Sequence, residues 1–123
     1  MSAVLKPSLW RRVGNSWRTR SHKSGAADVI PGGLAFTRSG RTRQIFWDDV
    51  VRIDCGTRDT LSIDLFYAVF HTAGTKLTID EYDDGFHPLE NAVFARWPQI
   101  RERWIGLQCG PLHQPQCETL WRR

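Results

Sequence analysis

The hydrophobic pattern runs at a two-residue period through most of the chain and changes to a helical period near Gly85. Pro31-Gly32-Gly33 is turn chemistry, and Leu34 to Arg38 then reads as a short strand. Ser39-Gly40 marks a hairpin whose return strand is Thr42 to Trp47. In Asp48-Asp49-Val50-Val51-Arg52-Ile53 the apolar Val50 and Ile53 are three apart, which predicts a short turn or a strand bend. Gly56 to Thr60 is polar and reads as another turn. Ile63 to His71 is the strongest strand, with Ile63, Leu65, Tyr67 and Val69 on one face and Phe66, Ala68 and Phe70 on the other. A strand apolar on both faces is central in its sheet, or covered on both sides. After a turn at Ala73-Gly74, Lys76 to Glu81 alternates cleanly, Leu77 and Ile79 inward.

Asp83-Asp84 offers N-cap chemistry for a helix, and Pro88 is tolerated in a first turn. Phe86, Leu89, Val93 and Trp97, joined by Phe94, form its apolar stripe, and Pro98 ends it. Ile100, Trp104 and Leu107 predict one or two further turns. The tail from Gly110 contains Pro111 and Pro115 and closes on an apolar anchor, Leu120-Trp121. Residues 1–24 have neither period and read as a basic Trp/Arg-rich arm, mobile or loosely docked; 25–123 read as a single domain. Strands first and one main amphipathic helix last predict an α+β fold, with about six or seven strands in antiparallel arrangement.

Composition narrows the function classes. With 123 residues, 41% of them hydrophobic, the chain buries enough surface to fold as one domain, and no apolar run reaches the roughly 20 residues of a membrane-spanning helix. The net charge of +4 is unevenly spread. Residues 1–43 hold nine Lys/Arg against Asp28 alone, residues 44–95 hold ten acids against three bases, and residues 96–123 are again basic. A uniformly basic nucleic-acid binder would look different, so nucleic acid is an unlikely partner class. Three cysteines and no export signal fit a reducing cytoplasm.

The order Trp47-x-Asp49-Val50-x-x-Ile53, an apolar central strand, Glu81, Gly85-Phe86-x-x-Leu89, Trp97-Pro98, Trp104 and a closing Leu120-Trp121-Arg122 resembles small bacterial proteins of uncharacterised function with a pleckstrin-homology-like (PH-like) architecture. The resemblance covers roughly residues 28–123 and implies a strongly bent antiparallel sheet, or partial barrel, closed by one main C-terminal helix. It implies no catalytic residue and no established activity. The arm and the Cys/His/Pro-rich segment before Leu120 depart from that pattern.

Four constellations carry candidate chemistry. Arg38, Arg41 and Arg43 surround a hairpin turn, and guanidinium forks match phosphate oxygens bidentately. The bland alternative is a solvated hairpin tip kept soluble by charge. Trp10, Arg11, Arg12, Trp17, Arg18 and Arg20 interleave aromatic and cationic groups, a composition that suits an anionic membrane surface, stacking on single-stranded nucleic acid, or docking on the domain itself or a partner subunit. Cys109, His113 and Cys117 are three soft metal ligands, but zinc sites take four ligands or three plus water, and the prolines between them prevent a helix from aligning the three. Asp80-Glu81-Tyr82-Asp83-Asp84 with His87 is the densest acidic stretch, and reads as a strand end and helix cap on a solvated rim. No nucleophile elbow, P-loop or dinucleotide fingerprint occurs. The expectation is a non-enzymatic module without a cofactor that binds a protein partner, with an anionic membrane or phosphate ligand as the alternative. Six tryptophans leave room for a homodimer interface.

Overall fold

The computed structural model describes residues 25–59, 64–110 and 115–123. Among them lie seven strands and two helices: β1 (Ala26–Ile30), β2 (Gly33–Arg38), β3 (Arg41–Phe46), β4 (Arg52–Asp59), β5 (Asp64–His71), β6 (Lys76–Asp80), α1 (Phe86–Arg96), α2 (Arg101–Gln108) and β7 (Gln116–Arg122). The fold is α+β, with a three-stranded sheet in the order β1-β2-β3 and a four-stranded sheet in the order β6-β5-β4-β7, every named pairing antiparallel. Among the described residues no strand ladder joins the two sheets.

Local chemistry explains most of these elements. Ser39 and Gly40 both have positive φ, 54° and 78°, the conformation of the two-residue turn whose twist matches that of its flanking strands. β5 sits between β4 and β6, the central position its two apolar faces predict. The structure differs from the sequence reading at β4 and at β7, its partner on the sheet edge. β4 is a strand of eight residues that runs on through the stretch from Gly56 that reads as turn. The tail is a strand, β7, rather than a loop with an anchor, so the helices are followed by sheet.

The core is aromatic. Phe66, Trp97 and Trp104 are almost completely buried, and Trp47 is buried with them. Trp47 meets Trp97 edge-on with centroids 5.6 Å apart, and Trp104 packs against Phe66 at 5.3 Å and Phe94 at 5.4 Å. Such pairs add to the area they bury. α1 ends at Trp97 before Pro98 as expected, but its N-cap is Gly85, not an aspartate side chain. Gly85 has φ 81°, and a Cβ there would overlap the Ala27 carbonyl. The aspartates expected to cap the helix do other work.

Candidate functional site

Asp83 ties the two sheets together. Its side chain is fully buried, so it does not stand on a solvated rim. The Gly25 N–H donates to its Oδ1 at 2.6 Å, the Asp80 N–H donates to its Oδ2 at 2.9 Å, and Arg38 Nη2 reaches both oxygens at 3.1 and 3.2 Å. A buried carboxylate is tolerated only when paired and hydrogen-bonded in this way. Asp80 is buried beside it, and the Tyr82 N–H donates to Asp80 Oδ1 at 2.9 Å. Glu81 continues the sheet with its side chain: its backbone N–H donates to the Phe66 carbonyl, and its Oε1 accepts from the Phe66 N–H at 2.8 Å. Desolvation pushes the Glu81 carboxyl above its ordinary pKa even though the residue as a whole is exposed, and the Phe66 N–H only partly opposes this.

The three hairpin arginines are therefore not equivalent. Arg38 is held by Asp83. Arg43 lies on the same face of the hairpin as buried Phe36 and Ile45, and crosses to the β5–β6 turn, where it donates to the Thr75 hydroxyl and, at 3.0 Å, to the Lys76 carbonyl. Arg41, at the tip, is exposed and has no ion pair among the described residues.

Beyond its tip the hairpin offers a strand edge. Arg38 and Arg41 flank the two-residue turn, so they form a hydrogen-bonded pair, and hydrogen-bonded pairs alternate with non-hydrogen-bonded ones along the ladder. Arg41, Arg43 and Ile45 therefore aim their backbone groups at β2, while Thr42, Gln44 and Phe46 aim theirs away from it. Among the described residues no backbone partner meets those outward groups. Every β3 residue but Ile45 is exposed, and Phe46 is one of the few large apolar side chains left in solvent. Two of the other edges are contacted in part. Ala27 N–H on β1 donates to the Asp84 carbonyl at 2.7 Å. On β7, Arg103 donates to the carbonyls of Thr119 and Leu120 at 2.8 and 3.2 Å and to Glu118 Oε1.

A second cluster lies on the outer face of the four-stranded sheet. His71, Arg52 and Arg122 are direct cross-strand partners on β5, β4 and β7. Asp54, two residues along β4, accepts at Oδ2 from Arg52 at 3.1 Å and His71 at 2.9 Å, and at Oδ1 from the Thr119 hydroxyl at 2.7 Å. His71 Nε2 also lies 3.2 Å from Arg52 Nη2. One nitrogen does not donate to Asp54 and accept from Arg52 together; the carboxylate makes Nε2 the donor, and both donors share one oxygen. Burial alone would raise the Asp54 pKa, but the hydrogen bonds from Thr119 and His71 and the Arg52 charge outweigh it and hold the carboxyl below its ordinary value. An open groove of about 510 Å³ beside the cluster is lined by Val51, Arg52, His71, Thr72, Arg122 and Arg123. No local motif announces this cluster, because its members come from strands as far apart as Asp54 and Thr119.

Inside the molecule, Glu90 on α1 is buried and accepts from Trp104 Nε1 and Gln108 Nε2, both at 2.7 Å, and from His87 Nδ1 at 3.0 Å. Cys55, Cys109 and Cys117 are free thiols, and burial pushes the Cys55 thiol far up. Cys109 follows α2 and Cys117 lies on β7, both exposed, while His113 is outside the described residues. Among the described residues no three His, Cys, Asp or Glu side chains are grouped to hold a metal ion. Trp10, Arg11, Arg12, Trp17, Arg18 and Arg20 also lie outside the described residues. No described helix is long and apolar enough to cross a membrane. No protein-family model, curated protein or solved structure matches the chain at a significant level.

Proposed function

We propose that this domain is a non-enzymatic binding module that takes an extended segment of a protein partner as an added strand along β3. The observation that carries the reading is the open edge at Thr42, Gln44 and Phe46, which offers alternating N–H and C=O groups to any extended chain. Arg41 beside that edge favours an acidic segment, and Phe46 offers it an apolar contact. In this reading the two sheets form a PH-like partial barrel whose seam lies between β3 and β6, crossed by the side chain of Arg43. Free thiols at all three cysteines fit a bacterial cytoplasm as the place of action.

The test is capture from source-organism lysate with wild type beside Gln44→Pro. Proline removes an outward N–H and leaves the ladder to β2 intact, so the folded domain is expected to survive while the partner is lost. A partner held equally by both baits contradicts strand addition at β3. Recovery of a second copy of the chain as the captured species, again lost in Gln44→Pro, identifies the homodimer as the partner. A second reading, contact with an anionic membrane or phosphate ligand, rests on Arg41, because Arg38 and Arg43 are engaged inside the molecule. Tryptophans and arginines of residues 1–24 would add to that contact.

A further inference from the structure

We propose that the groove at the adjoining ends of β4, β5 and β7 is a binding site for a phosphate monoester, a site that uses no residue of β3. His71, Arg52 and Arg122 stand directly opposite one another across three strands, so their side chains share one face. Arg52 and Arg122 are like charges directly opposed, which destabilises a sheet, and a sheet with no use for them is more stable when one is replaced. Asp54 offsets part of the repulsion, but its Oδ2 is taken by Arg52 and His71 and its Oδ1 by Thr119. Arg122 is left with no ion pair among the described residues. Arg123 donates to the Asp48 carbonyl, a contact that fixes the guanidinium without neutralising it.

The result is an open groove lined by Arg52, Arg122 and Arg123, with no Asp or Glu among its lining residues. Two of the three cations are held in place, Arg52 by Asp54 and Arg123 by Asp48, so binding costs little side-chain ordering. Guanidinium groups present paired N–H donors that fit two phosphate oxygens at once. The groove's volume of about 510 Å³ exceeds what a bare phosphate needs and falls in the range of small-molecule sites. That favours a phosphate attached to an organic group, with Val51 and Thr72 beside it. A soluble phosphorylated metabolite and a lipid headgroup share this chemistry.

The experiment titrates the full chain with inorganic phosphate, against sodium chloride of equal ionic strength, and follows backbone amide resonances. Phosphate is expected to shift Val51, His71, Thr72 and Arg122, and Arg122→Glu is expected to weaken binding about tenfold or more. Thermal stability of Arg122→Glu without phosphate should stay level or rise, because an opposed like charge is gone. Arg58→Glu makes the same charge change on β4 outside the groove, and should alter affinity by no more than about twofold. Sedimentation of wild type, but not Arg122→Glu, with phosphatidylcholine vesicles containing phosphatidic acid assigns the headgroup. Phosphate binding without sedimentation assigns a soluble ligand. No shift beyond the chloride control, or an equal loss in Arg58→Glu, overturns the site.

Discussion

Arg38 Nη2 and the Asp83 carboxylate meet at 3.1 Å between the end of β2 and the segment after β6, so an ion pair reinforces the backbone bonds of Ala27 and Gly25 to Asp84 where no ladder joins the two sheets. Asp83→Ala removes the acceptor of two backbone N–H groups and one guanidinium together, and is expected to cost about 3–5 kcal/mol. Arg38 is partly solvated, so Arg38→Ala should cost less, about 1–2 kcal/mol. Urea denaturation of both variants and the double variant checks this, and the double variant should fall short of the sum of the two.

Two buried tryptophans should respond differently to the same substitution. Trp104 Nε1 donates to buried Glu90, whereas Trp97 Nε1 is buried with no hydrogen-bond partner among the described residues. Trp97→Phe therefore loses packing alone. Trp104→Phe loses packing and strands part of a buried carboxylate, and should be the more destabilising by about 1–3 kcal/mol in the same denaturation series.

Asp54 gives the fold an acid dependence of known sign. Its folded-state pKa lies below its unfolded value, so its contribution is present above the ordinary carboxylate range, about pH 4, and is lost as pH falls through the folded value. Melting temperatures measured from neutral pH into acid should fall less steeply for Asp54→Asn than for wild type. The variant is expected to be the less stable of the two at neutral pH, with the gap closing in acid.

Gly85→Ala combines a backbone conformation that L-residues rarely adopt with overlap on the Ala27 carbonyl. A loss of more than about 2 kcal/mol is expected, with β1 released first. Gly74→Ala, where a Cβ would meet nothing, should change stability by less than about 0.5 kcal/mol.

Much of the fold is legible in local pattern. The hairpin of β2 and β3 is announced by Ser39-Gly40, β5 by its two apolar faces, and α1 by its stripe and by Trp97-Pro98. β4 and β7 are not, for a shared reason. β4 alternates only as far as Cys55 before Gly56 and a polar end, and β7 buries only Leu120, so neither carries the alternation of a half-buried strand along its whole length. What makes them strands is the pairing of β4 with β5 and of β7 with β4, non-local contacts with no local signature. The candidate sites divide likewise. Sequence brings Arg38, Arg41 and Arg43 to one turn, but only the structure shows that Arg38 is spent on Asp83 while Arg52, His71 and Arg122 stand in a row.

Amide hydrogen exchange along β3 of the free protein reads the open edge itself. Alternation is expected: slow exchange at Arg43 and Ile45, whose N–H groups face β2, and fast exchange at Thr42, Gln44 and Phe46. Addition of a captured partner segment should then slow those three. Uniform protection from Thr42 to Phe46 before any partner is added would mean that the edge is already covered, and would contradict strand addition there.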